Sequence, residues 1–286
     1  MECRDDIQVV VYSPESQIRT PGKLFNAMLT DLWESRELSW RLAVRDISSQ
    51  YRQAFLGLLW AVILPLTNTA AWLFLSSSGI VSFEKTALPY PVFVFTGTML
   101  WAIFMDALNA PLQQANAARM MLSKLNFPRE ALLVSGIYQT LFNASIKIVL
   151  LLGALLIVGI NPGWGLLLFP AGIFSLILAG TAIGLLVTPA GMLYTDVGRA
   201  IPLLMQFLMF VTPVVFPAPK AGWAAVLFEY NPLTSLIINS RNWLTGHGTE
   251  YPLHFIAVCG SAFCLLLLVW VIYRIAMPIL IERMSA

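Results

Sequence analysis

Two ionisable residues stand where charges are rarest: Asp106 inside the apolar run 89–116 and Lys147 inside the run 131–158. A charge at membrane depth persists only with a partner, or where a cavity for water or cargo surrounds it. Counted from the inner ends of their runs at about 1.5 Å per residue, their depths differ by roughly 9 Å, near the limit that two extended side chains can bridge. We expect them to pair across adjacent helices. Two roles remain open, an ion pair that holds a bundle together and a pair that lines a substrate path.

Other chemistry is sparse. His247 and His254 flank the start of the last apolar run without converging carboxylates. Cys259 and Cys264 sit five apart in that run, on different helix faces, and Cys3 lies in a polar N-terminal stretch, so neither a disulfide nor a metal site is expected. A phosphate-binding loop needs a glycine-rich turn that ends in Gly-Lys-Ser/Thr. The Gly22–Lys23 step is followed by Leu24 and has no upstream glycine. No catalytic residue, metal or cofactor is therefore expected on this chain, and ATP-driven work would need ATP and Mg bound by a separate subunit.

The elements that must carry these residues follow from composition. The chain has 286 residues, 58% hydrophobic and 11% charged, with a mean hydropathy of +0.76. A soluble domain is about 25% charged, so an all-α membrane protein is expected, and a soluble enzyme, a disulfide scaffold or a nucleic-acid binder is excluded. About six apolar stretches approach the roughly 20 residues a helix needs to cross: 54–76, 89–116, 131–158, 164–188, 199–217 and 252–280. No repeated three-helix unit supports a repeat-built transporter. The charged first fifty or so residues have no signal-peptide core, so the first run is expected to be a retained anchor.

Lys and Arg accumulate on the cytoplasmic side of a membrane. With the N-terminus inside, every one of the 17 basic residues falls on that side except Lys85, Lys220, Arg241 and the intramembrane Lys147. Both termini are then expected in the cytoplasm, with 1–22 as a cytoplasmic tail. Residues 23–53 are amphipathic and too charged to span, with Trp33 and Trp40 among interleaved arginines. They are expected to lie in the membrane interface, against lipid, or else to pack as soluble helices on another surface. Between the fifth and last runs, 218–250 holds two short apolar pieces, Trp223–Phe228 and Leu233–Leu244, split at Asn231 and Pro232. They are expected to be re-entrant or surface-lying helices, with Tyr230, Asn231 and Pro232 as an outer gate, or else a plain loop.

The segment RDISSQYRQAFLGLLWAVILP at 45–65 resembles a signature of the ABC exporter permeases that move polysaccharides across the bacterial inner membrane, those of O-antigen, capsule and teichoic acid. The matching positions are Arg45, Asp46, Tyr51, Leu56, Gly57, Trp60 and Pro65. KLNFPRE at 124–130, the run DVGRAIPLLMQFLMFVTPVVFP and NPLTSLIINSR at 231–241 follow in the family's order. The family often has an arginine before the aspartate of the fifth span, where this chain has Thr195 before Asp196.

The resemblance implies a six-span permease domain over 54–286, a homodimer, and two copies of a separate ABC ATPase. It implies that the loop 118–130 couples to that ATPase through Lys124, Asn126, Phe127, Pro128, Arg129 and Glu130. Arg45, Asp46, Tyr51, Gly57 and Trp60 would form the entrance at the interface. Trp72, Phe207, Phe210 and Phe216 are candidates to line a channel, because aromatic faces suit sugar rings. The cargo would be a lipid-linked polysaccharide. A same-fold exporter of drugs or lipids is the alternative within the family, and a membrane-embedded transferase is the alternative outside it. The purified chain should neither bind nor hydrolyse ATP until an ATPase partner is added. Robust hydrolysis by this polypeptide alone in an ATPase assay would sink the exporter expectation.

Overall fold

The computed structural model describes residues 21–52, 57–78, 88–122, 128–219 and 221–285. Most of the N-terminal tail, the residues Lys124, Asn126 and Phe127 expected to couple to an ATPase, and the side chain of Tyr51 lie outside the described set. Among the described residues the regular structure is all helical, with no strand. The protein is an all-α, multi-pass membrane protein.

Two helices, α1 (Pro21–Glu34) and α2 (Arg36–Arg52), precede the spans. Among the described residues, five helices are long and apolar enough to cross a membrane: α3 (Trp60–Ser77), α4 (Tyr90–Ala117), α6 (Glu130–Val158), α7 (Phe169–Leu193) and α11 (Pro252–Ser285). The short α5 (Arg119–Leu122) follows α4. In a bilayer each backbone polar group must be satisfied within its own helix or by buried neighbours, which is why these runs are continuous helices. Their ends carry the expected punctuation. Pro91 and Pro170 stand in the first turns of α4 and α7, where the missing N–H removes no helical bond. Gly159, at φ +77°, closes α6 in a left-handed cap.

The run expected as a continuous span over 199–217 is different. Its helix, α8 (Thr195–Phe210), has 16 residues, about 24 Å against a hydrocarbon core of roughly 30 Å. Pro213 contributes to the early end, because a proline disfavours helical geometry in the residue before it, although Pro202 is accommodated inside α8. The following turn is buried: Thr212, Val214 and Val215 are fully inaccessible. Gly198 near the start of α8 lies against Leu112 of α4, and Val214 past its end lies against Gly97 of α4. Helix and turn together thus run alongside α4 for about 22 Å, so this pass is a short helix completed by non-helical backbone.

At the centre, α4 packs between α6 and α7, and α7 in turn carries α11 on its other side. The contact of α4 with α7 is made by small residues. A Cβ at Gly184 would run into the Leu108 carbonyl, one at Gly180 would stand 2.6 Å from the Phe104 carbonyl, and one at Gly191 would meet the Leu112 side chain at 2.7 Å. Such residues let backbones approach where lipid offers no hydrophobic drive.

The two pieces around Asn231 form α9 (Trp223–Tyr230) and α10 (Pro232–Thr245). Helix α10 is no surface loop. It is buried against α7 and a 3-10 turn at Gly163–Leu167, with Gly172 against Ser240 and Gly165 against Trp243. The helices α1 and α2 meet at a turn near Ser35, and α2 lies along α6, where Trp40 packs edge-on against Tyr138 at 5.7 Å.

The close approach makes a sharp expectation. Gly184→Leu should destabilise the fold by about 1–3 kcal/mol or more through overpacking. Gly153→Leu, at a position with nothing within 4 Å of the added Cβ, should leave the thermal midpoint in detergent unchanged.

Candidate functional site

Around residue 130 one guanidinium joins three helices. Arg274 of α11 donates to Glu130 at 2.5 Å and meets Asp31 of α1 at 2.6 Å. Glu130 opens α6 directly after the 118–130 loop, and it is only 5% exposed. Its expected role as an ATPase contact is therefore corrected: the carboxylate turns inward because the partly buried guanidinium of Arg274 on α11 lies within reach. A buried carboxylate and guanidinium each need the other. Pro128 is exposed and Arg129 half-buried at the end of that loop.

The expected entrance residues follow one another from α2 into the start of α3. Arg45 and Asp46 form an ion pair at 2.7 Å on α2, exposed on the arginine side and so worth little in stability. Tyr51 lies in the last turn of α2. Gly57 starts a 3-10 turn with φ +47°, a left-handed conformation that glycine adopts without strain. Trp60 follows at the start of α3 and is half-exposed.

Lys147 and Asp106 meet, with Nζ 2.5 Å from Oδ2. Five amides that the sequence reading passed over stand around them. Two adjoining hollows of about 370 and 360 Å³ share Gln50, Asp106 and Asn143, and the first is also lined by Asn109, Gln113 and Gln139. A signal for these residues was present. Asp106, Asn109 and Gln113 recur at helical spacing in one apolar run, and Gln139, Asn143 and Lys147 recur in the next. Attention to charges alone overlooked the neutral polar residues on the same faces.

At the other end of the bundle, Asn231 ties the broken segments together. Its side-chain oxygen caps α10 by accepting from the Leu233 N–H, and its Nδ2 donates to the Val211 carbonyl and to Thr212 Oγ1. Pro232 occupies the first turn of α10, and Tyr230 is exposed. Arg241, expected in an outer loop, is instead 3% exposed. Its Nη2 donates to the carbonyls of Pro213 and Val214 at 2.8 and 2.9 Å, and its guanidinium stacks 3.8 Å over the Phe93 ring. Burial pulls its pKa down to about 9, which leaves it charged at neutral pH. The cation thus supplies hydrogen bonds that the non-helical turn after α8 cannot make for itself.

The aromatic candidates separate. Trp72 of α3 and Phe210 of α8 form an edge contact at 6.2 Å, which joins the first span to the short pass within one chain. Phe207 is largely exposed on α8. Phe216 is not on that helix face at all. It sits in the turn, 6.0 Å from the Phe228 ring of α9, because the helix has already ended before Pro213.

Residues 37–243 match the ABC-2 type transporter family, a stretch that runs from α2 almost to the end of α10. The chain belongs to that family. It is similar to the O-antigen export system permease protein RfbA of Myxococcus xanthus, 24% identical over 213 residues that cover 73% of this chain and 81% of the relative. It is also similar to the polysialic acid transport protein KpsM of Escherichia coli, 23% identical over 205 residues that cover 70% and 78%. The ABC-2 match includes α2, the ion pair, the amide-lined hollows and the Asn231–Arg241 clamp.

The ABC-2 chain's ion pair can be dissected by substitution. Asp106→Leu alone strands the Lys147 ammonium and should cost on the order of 3 kcal/mol. Asp106→Leu combined with Lys147→Met replaces both charges by apolar groups and should recover most of that loss in thermal unfolding in detergent. Equal instability of the single and double variants would show that the pair does not act as a unit.

Proposed function

We propose that this transporter chain is the membrane-spanning half of an ATP-driven exporter of lipid-linked polysaccharide in the bacterial inner membrane. The observation that carries the reading is the similarity to an O-antigen export permease across 73% of the chain, together with the family match. In this reading the chain binds no nucleotide. A separate ABC ATPase, in two copies, holds ATP and Mg and docks on the 118–130 loop, with Phe127, Pro128 and Arg129 as the contacts. Both termini lie in the cytoplasm.

Two structural features support a homodimer around a glycan path. Helix α3 buries only Thr69 and α8 buries only Ile201 within the chain, so their faces, with Trp60, Leu64, Leu203, Leu204 and Phe207 exposed, are open to a second copy or to lipid. Apolar side chains on such a face lose little by facing either. The polysaccharide enters beside the interfacial helix and leaves past the turn that follows α8, which is held by hydrogen bonds to Asn231 and Arg241 and by the packing of α9.

Loss of the gene in its host should abolish surface glycan and leave lipid-linked polymer inside the inner membrane, with recovery on complementation by the wild type. Phe127→Ala should complement poorly and should reduce ATPase recovered with the tagged permease by at least tenfold, while the permease itself inserts normally. Unchanged surface glycan in the deletion strain would overturn the reading.

A further inference from the structure

Asp106 borders two adjoining hollows, and Lys147 borders the second of them; the first is mainly polar and the second mainly apolar. Along α4 the polar residues Asp106, Asn109 and Gln113 are three and four apart, and along α6 Gln139, Asn143 and Lys147 are four apart. Each set therefore occupies one helix face, and the two faces border the adjoining hollows of about 370 and 360 Å³. Small-molecule sites commonly measure about 300–1,000 Å³. Rows of amides in hydrocarbon are costly unless something polar meets them.

The chemistry of the lining selects the occupant. A carboxamide offers both donors and acceptors, which complements a hydroxyl group that also does both. Asn109 spends its Nδ2 on the Met105 carbonyl at 2.8 Å, which leaves its carbonyl oxygen as an acceptor. Gln139 accepts from Gln114 Nε2 at 2.8 Å through its carbonyl oxygen, while its Nε2 reaches Gln50 only at 3.4 Å, a long contact that a ligand can replace. The two charged groups of the lining cancel, since Lys147 Nζ is 2.5 Å from Asp106 Oδ2. An anion would meet a neutralised cation and a carboxylate beside it. Trp60, half-exposed on the edge of the second hollow, adds an aromatic surface suited to the C–H face of a ring.

We propose that this hollow binds one uncharged pyranose unit, through the amides of Asn109, Gln113, Gln139 and Asn143 and the face of Trp60, and that it rejects phosphate groups. The assignment rests on the exporter reading for the source of the sugar. It adds that the sugar, not the phosphate of a lipid carrier, is the part recognised within the membrane. The position fits an approach from the interfacial helix, because Gln50 in the last two turns of α2 lines both hollows.

The test uses the full chain with its ATPase partner in nanodiscs. Saturation-transfer NMR is recorded with the methyl glycosides of glucose, galactose, mannose and N-acetylglucosamine, and phosphorus line widths are recorded with inorganic pyrophosphate. At least one glycoside should show transfer that empty nanodiscs lack, and pyrophosphate should neither broaden through the hollow nor displace it. The double variant Asn109→Leu with Gln113→Leu removes two amides at similar volume. It should lose glycoside affinity at least tenfold while it elutes and retains its ATPase like the wild type. Absence of transfer from all four glycosides, competition by pyrophosphate, or wild-type affinity in a correctly assembled double variant would each overturn the proposal. Export decides the reading beneath it separately: a wild-type complex that carries glycan outward but binds no glycoside here leaves the exporter standing and removes this site.

Discussion

The rest of the bundle depends on the close approach of α4 and α7. Without water to drive helices together, association in a bilayer comes from backbone and side-chain contact at short range. Gly180, Gly184 and Gly191 place the α7 backbone directly against Phe104, Leu108 and Leu112. With that seam closed, α6 and α11 find fixed surfaces to pack on, and α10 docks on the first turns of α7 through Gly172.

A rigid pair at the centre permits irregularity at the edges. The turn after α8 is non-helical and buried, an arrangement tolerated at membrane depth only when protein supplies the missing hydrogen bonds. Here Arg241 and Asn231, both on or beside α10, supply them to Pro213, Val214 and Val211. Since α10 is itself held by α7, the stability of the central seam reaches the turn through one helix. Gly97 completes the arrangement, because a side chain there would collide with the Val214 carbonyl and the Arg241 guanidinium.

The opposite end has its own junction. Arg274 gathers Glu130 and Asp31, so the start of α6, helix α1 and the end of α11 are linked by one side chain. Each carboxylate would be expensive to bury alone, and the shared guanidinium offsets both. Between this junction and the clamp at the other end, the polar faces of α4 and α6 enclose the hollow around Asp106 and Lys147. The molecule therefore concentrates its polar chemistry at three levels along a frame that is otherwise apolar.

Membrane class, the position of the long spans and membership of the transporter family were legible in the amino-acid sequence. The reason is local: an apolar run of spanning length must satisfy its backbone within one helix, and the motif at 45–65 is contiguous. The end of α8 had only a weak local sign in Thr212–Pro213, since Pro65, Pro111, Pro189 and Pro202 lie inside helices. What the tertiary structure alone decided is which polar groups face each other. Nothing near Glu130 in sequence announces Arg274, 144 positions away, and nothing near Arg241 announces the carbonyls of Pro213 and Val214. Burial of a charge depends on partners brought from distant segments, and those partners exist only once the helices have packed.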